Sequence, residues 1–148
     1  MELTVKLDMS GIDKLYSKLE GAERTIRVGV LDSPENAFKA SLAEYGFLDR
    51  AGQFVKPRST IRLPLENNIE AIYKEAGAEL KDFTSQEIDE AVNKLGESAL
   101  KYIDEGFATQ GYGEWADNKP ATIAKKGRNS PEIDTGELRG SYSYEEVK

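Results

Sequence analysis

Residues 65–103, LENNIEAIYKEAGAELKDFTSQEIDEAVNKLGESALKYI, carry the clearest periodicity in the chain. Leu65, Ile69, Ile72, Ala76 and Leu80 step by three or four positions, and after Thr84-Ser85 the stripe resumes as Ile88, Val92, Leu95, Ala99 and Tyr102 or Ile103. That spacing gathers the apolar residues on one face of a helix, because an α-helix repeats every 3.6 residues. Two amphipathic helices fit best, with Ser85 able to cap the second, although one long kinked helix fits the same stripe. Between Glu66 and Glu105 eleven acids stand against four bases, a charge of −7 that equals the charge of the whole chain. The outer faces of these helices therefore repel polyanions. A Glu/Lys-rich face is also the ordinary means of keeping a helix in water, and Glu70 with Lys74 and Glu90 with Lys94 have the i,i+4 spacing of helical ion pairs.

Upstream, Leu3, Val5 and Leu7 alternate with polar residues and predict a strand over residues 2–8. Ser10 offers a cap for a short helix carrying Ile12, Leu15 and Leu19, which Gly21 would stop. Alternation returns over residues 25–31 with Ile26, Val28 and Val30 inward, and Asp32-Ser33-Pro34 marks a turn. Residues 36–45 read as a second short helix, with Phe38 and Leu42 four apart and Gly46 closing it. From residue 47 to 64, Gly52, Pro57 and Pro64 among the charges Asp49, Arg50, Lys56, Arg58 and Arg62 suggest a surface excursion, either an extended arm or an ordinary long loop.

Downstream of Phe107 the texture turns to glycines around Tyr112 and the only tryptophan, Trp115. Large aromatics beside glycines serve equally as anchors of a subunit interface or as packing for their own domain. Pro120 suits the first turn of a helix through Ala124, where its missing N–H is not needed, and Lys125-Lys126-Gly127 suits the end. Asp134 or Thr135 can cap a brief helix through Leu138, and residues 141–147 alternate as a last strand. With 148 residues and 39% apolar composition, one modest core is the expectation. The reading is one α+β domain over residues 1–148: a small, mostly antiparallel sheet flanked by helices, with the two longer amphipathic helices in mid-chain.

Composition excludes much chemistry. The chain has no His and no Cys, so it forms no Ser-His-Asp or Cys-His relay, no thiol redox centre and no conventional zinc site. Carboxylate acid/base work, carboxylate-bound magnesium and Lys chemistry remain. Asp117 with Lys119, and Glu132 with Asp134, have the residue types of a magnesium-dependent nuclease, but such pairs are common by chance. Gly111-Tyr112-Gly113 lacks the third glycine of a dinucleotide loop. No catalytic residue, metal or cofactor is expected. No apolar run approaches the roughly 18 residues of a membrane span, and the opening residues lack an apolar signal core, so neither a membrane nor a secretory address is expected. The charge of −7 argues against nonspecific gripping of DNA. The basic run Lys119, Lys125, Lys126 and Arg128 suits helix-end solvation and dipole matching first, and an acidic partner surface or phosphates second.

One string is informative in another way. Trp115-Ala116-Asp117-Asn118-Lys119-Pro120-Ala121-Thr122-Ile123-Ala124-Lys125-Lys126-Gly127, followed by Pro131-Glu132-Ile133-Asp134-Thr135-Gly136-Glu137-Leu138, resembles the signature of the tail-completion and virion-morphogenesis proteins of long-tailed bacteriophages. Val28-Gly29-Val30, Ala43-Glu44-Tyr45-Gly46 and Val55-Lys56-Pro57-Arg58 resemble that family's early strand, its Glu-Tyr/Phe-Gly element and its proline-arginine stretch. The chain departs from the family at Asp117-Asn118, where Pro-Leu is frequent, at Glu132, where an apolar residue is frequent, and at Ser59 and Thr60, which replace a proline and an aromatic. The residues carrying the signature are Trp115, Pro120, Thr122, Ile133, Asp134, Thr135, Gly136 and Leu138.

The resemblance implies a structural subunit that assembles, as a homo-hexameric ring, at the top of the tail in the virion neck after synthesis in the host cytoplasm. There it would stop tube growth and join the tail tube protein to the head-connector proteins. The alternative it leaves open is a head-tail connector or minor tail adaptor that binds a virion or host partner without forming its own ring. A cyclic ring needs two different patches on each subunit. Phe47, Phe54, Pro57 and Arg58 in the arm are candidates for one, and Glu87, Asp89, Glu90 and Glu97 are candidates for an acidic lumen past which genome DNA slides without specific binding.

Overall fold

The computed structural model of the protein describes residues 10–20, 23–129 and 136–147. The strand expected at residues 2–8, the stop at Gly21 and the signature residues Ile133, Asp134 and Thr135 lie outside the described residues. In chain order the elements are α1 (Ser10–Glu20), β1 (Thr25–Gly29), α2 (Pro34–Tyr45), β2 (Phe47–Leu48), β3 (Phe54–Val55), α3 (Arg62–Gly77), α4 (Ser85–Ala108), α5 (Pro120–Lys126), a 3₁₀ turn (Arg139–Ser141) and β4 (Ser143–Val147). The fold is α+β. Its antiparallel strands make two separate two-stranded pieces, β1 with β4 and β2 with β3, rather than one sheet. The first pairs strands from opposite ends of the chain, with Val28 opposite Tyr144.

The two helices read from the central stripe are separate. Phe83 stands at φ +54 in the link, and Thr84, not Ser85, caps α4. The Thr84 hydroxyl accepts the N–H of Glu87, and the Glu87 carboxylate accepts the N–H of Thr84 in return. A residue one position earlier wins because this reciprocal pairing needs a Glu three places after the cap. α3 and α4 run antiparallel: Gly106 leaves room for Pro64, Ser98 meets Glu75, and Lys94 meets Glu79 at 3.6 Å. Lys94 thus pairs across the helices rather than with Glu90, whose carboxylate accepts from Gln86. Ile72, Ala76, Ile88, Ala99 and Ile103 are buried as the stripe requires, but Ile69 is exposed.

α2 starts at Pro34 because Ser33 caps it, accepting the N–H of Asn36. Its buried face is Asn36, Ala40, Ala43 and Glu44; of the pair four apart in the sequence, Leu42 is half-buried and Phe38 points to solvent. The strand expected over residues 25–31 ends at Gly29, and the one expected over 141–147 begins at Ser143. The brief helix expected through Leu138 is instead a 3₁₀ turn that follows that residue. One core cluster joins Ala40, Ile103, Phe107, Trp115 and Leu138, with Val28, Val30, Leu63 and Tyr142 packed on it. The Trp115 and Phe107 rings meet edge to face at 5.5 Å between centroids.

Candidate assembly surface

Residues 47–64 are not a free arm. Residues 47–55 form a β-hairpin, 56–61 a strap that bends at Thr60 and Ile61, and 62–64 the first turn of α3. Asp49 shapes the hairpin turn. Its Oδ1 accepts the N–H groups of Ala51 and Gln53 at 2.9 Å each, and its carbonyl accepts that of Gly52. These bonds, the Gln53 N–H first, together with Lys119 hold the Asp49 carboxyl below the usual range against the opposing effect of burial. Gly46, at φ +74, ends α2 by donating to Leu42, and the Phe54 ring and the Val55 carbonyl occupy the space where a Cβ would stand. That close approach turns the chain from helix directly into hairpin.

The strap is stitched to the signature region. Arg58 donates through Nε to the Ala116 carbonyl at 2.9 Å and through its guanidinium to the Asp117 carbonyl at 3.0 Å. Trp115 Nε1 donates to the Ser59 carbonyl at 3.2 Å. Lys119 reaches back to Asp49 Oδ2 and Gln53 Oε1 in the hairpin, each at 3.2 Å. Asn129 joins the two ends of the loop around α5, donating to Asp117 Oδ1 and accepting the N–H of Asn118. Pro120 opens α5, Thr122 is half-buried in it, and Gly127 closes it. Gly136 is half-buried at φ +84, and Leu138 lies in the core. Of the two uses open to Trp115 in the sequence, the structure takes packing within its own chain.

Beside the exposed Arg50 and Gln53, the hairpin leaves large apolar side chains outside. Leu48 is 68% exposed and Phe54, directly opposite it across the strands, is 61% exposed. Phe47 is exposed too, and α2 adds Phe38 and Tyr45, seven positions apart on one outer stripe, at 64% and 75%. Leu48, Phe38 and Tyr45 are members of this face that the sequence did not single out. A signal was present for the hairpin: Asp first and Gly fourth in Asp49-Arg50-Ala51-Gly52 is a turn pattern.

The acidic residues separate into two kinds. Asp89, Glu90 and Glu97 are exposed. Glu87 belongs to the cap of α4 and also accepts the N–H of Asp82 at 3.0 Å. Burial pushes its carboxyl up, but backbone N–H groups at Thr84, Asp82, Lys81 and Phe83 together hold it below the ordinary value. Among the described residues no group of three or more carboxylates could hold a metal ion, and Asp117 and Lys119 are tied to Asn129 and to Asp49. Among the described residues no helix is long and apolar enough to cross a membrane. No protein-family model, curated protein or solved structure matches the chain.

Proposed function

We propose that the protein is a structural subunit of a long-tailed bacteriophage virion, a tail-completion or neck protein that assembles with copies of itself at the top of the tail. The observation that carries this reading is the exposed apolar face of the α2–hairpin unit, with Phe38, Tyr45, Leu48 and Phe54 all more than half in solvent. Several large apolar side chains exposed within one short helix–hairpin segment mark an interaction site. The reading is supported by the motif resemblance of the strap and signature loop, whose residues serve here to position that hairpin. Arg58, Trp115 and Lys119 hold strap, loop and hairpin as one unit, which makes the apolar face a rigid surface suited to docking.

In this role the ring would halt growth of the tail tube and offer its other side to the head connector. Exposed Asp89, Glu90 and Glu97 would suit a lumen that repels DNA phosphates. The test is electron microscopy of particles made with the gene for this chain deleted. Overlong or headless tails support the reading, and normal particles overturn it. Normal tail length with loss of one minor component would favour an adaptor without its own ring.

A further inference from the structure

We infer that the cleft between the hairpin and the loop leading into α5 is a binding site for a carboxylate carried beside an apolar side chain on a partner polypeptide. The cleft, of about 420 Å³, has Phe47, Phe54 and Lys56 on one side and Asn118, Lys119 and Thr122 on the other. That size is ordinary for a ligand pocket. Its two walls are fixed to each other, because Lys119 bonds Asp49 and Gln53 in the hairpin and Arg58 of the strap bonds the Ala116 and Asp117 carbonyls. A space framed by such cross-links needs little further ordering when a ligand enters.

The donors and acceptors of the cleft do not balance, and the imbalance names the missing chemistry. Asn118 is only 9% exposed, its backbone N–H is fixed on Asn129 Oδ1 at 3.1 Å, and its side-chain Nδ2 has no acceptor. A buried amide left without an acceptor forfeits its hydration and gains nothing, so folds seldom keep one unless something else completes it. Lys56 is exposed, and among the described residues no carboxylate pairs with it. The cleft's own carboxylates are engaged, Asp49 by Ala51, Gln53 and Lys119, and Asp117 by Asn129. Lys119 offsets the charge of Asp49, and the Arg58 guanidinium stands on the Asp117 carbonyl, so neither acid meets an entering anion alone. What is lacking is a further acceptor, and beside Lys56 an anionic one binds best. A carboxylate oxygen entering the cleft supplies it, directly or through one bridging water. The exposed Phe47 and Phe54 rings give the apolar part its contact. A polypeptide fits better than a small free acid, because exposed Leu48, directly opposite Phe54 across the strands, carries the apolar surface past the cleft.

The test is nuclear magnetic resonance of the isotope-labelled full-length chain, with the Asn118 side-chain amide signals identified by their loss in Asn118→Leu. Three peptides are titrated: N-acetyl-Ala-Ala-Phe with its carboxylate free, the same peptide amidated at its end, and N-acetyl-Phe-Glu-amide, whose only carboxylate is a side chain. The Asn118 side-chain signals and the backbone amides of Phe54 and Lys56 are expected to move saturably with a charged peptide. The amidated peptide should bind about tenfold more weakly or worse, as loss of a charge-assisted hydrogen bond implies. Whichever charged peptide binds more tightly tells whether the partner offers its chain end or an acidic side chain. Lys56→Gln, an exposed substitution, should leave the unfolding midpoint in place and weaken binding about threefold or more. No movement of these signals at millimolar peptide overturns the inference, and so does equal affinity for the amidated form. The site does not depend on the assembly reading: normal particles without the gene overturn that reading alone, and failure of the titration overturns this one alone.

Discussion

The carboxylate of Glu44, on α2, accepts the backbone N–H of Thr60 at 3.1 Å, and Thr60 has no exposed surface at all. The same carboxylate accepts the N–H groups of Ile61 at 3.1 Å and Arg62 at 3.3 Å and the hydroxyl of Ser59 at 2.6 Å. Ser59 Oγ then accepts the N–H of Leu63, Pro64 has none to offer, and Leu65 donates to the Ile61 carbonyl. Every first-turn amide of α3 is thereby paired, although Ile61, at the cap position, has no side chain able to do it. A negative group at a helix N-terminus also meets the positive end of the macrodipole. Glu44→Ala should therefore destabilise the fold by about 3 kcal/mol, since it strands several buried donors at once. Glu44→Gln, which keeps one acceptor oxygen, should cost less. Urea unfolding followed by circular dichroism checks both, and equal unfolding midpoints for wild type and Glu44→Ala would refute this account of the cap.

Gly96 shows why a glycine sits inside a 24-residue helix. The Tyr144 ring of β4 lies where a Cβ on Gly96 would stand, so the missing side chain lets the β1–β4 pair press on α4. Gly96→Ala gains about 1 kcal/mol of helix propensity but overpacks the contact by about 1–3 kcal/mol. Net destabilisation is expected in the wild-type background. With Tyr144→Ala as the background the clash is gone, and the same substitution should become neutral or stabilising. A double-mutant cycle measures that change of sign.

Glu75 ties α3 to α4 through three groups, and its carboxyl is lowered from 4.5 to about 2 by bonds from Lys101, Ser98 and Tyr102, in that order of effect. Because the folded-state value lies below the unfolded one, this pairing stabilises the fold fully above pH 4.5 and is lost as pH falls from there toward 2. The site is open to water, so the effect is a slope rather than a collapse. Wild-type urea midpoints should drop between pH 6 and pH 3 more steeply than those of Glu75→Gln. Parallel curves would mean that the Lys101 and Ser98 bonds do not persist in solution.

What could be read from the sequence follows the range of the interactions that fix each element. The extents of α1, α3, α4 and α5 were legible to within a few residues from apolar spacing and flanking Ser, Thr, Pro and Gly, although the cap of α3 comes from Glu44 on another helix. Pairing of β1 with β4 was not legible, because Arg27 and Glu145 meet across 118 residues. Strands of two residues, as in β2 and β3, are too short for alternation to show. Glu44 stood out in the sequence only within the Glu-Tyr-Gly element, and its cap role needs the strap folded over it. The sequence left the burial of Phe38 and of Trp115 open for one reason. Burial is decided by which partner arrives, and Trp115 receives Phe107 and Ser59, whereas none of the described core residues packs on Phe38.

The acidic face of α4 must be tested with residues that do nothing else. Asp89, Glu90 and Glu97 are exposed, while Glu87 bonds the amides of Asp82 and Thr84 and completes the cap of α4. Thr84→Ala removes the other half of that capping box and should cost about 1 kcal/mol. Glu87→Lys should also lower the unfolding midpoint, because it puts a cation where the helix end is positive and leaves two amides without their acceptor. Asp89→Lys should leave the midpoint within the scatter of repeated melts. If Asp89, Glu90 and Glu97 line a DNA path, reversing all three should slow genome ejection in particles that assemble normally. Unchanged ejection from such particles would remove the electrostatic role from these residues and leave their charge as solvation of the helix. Including Glu87 in the set would confound the result, since a failed particle would then report a weakened helix as readily as a blocked channel.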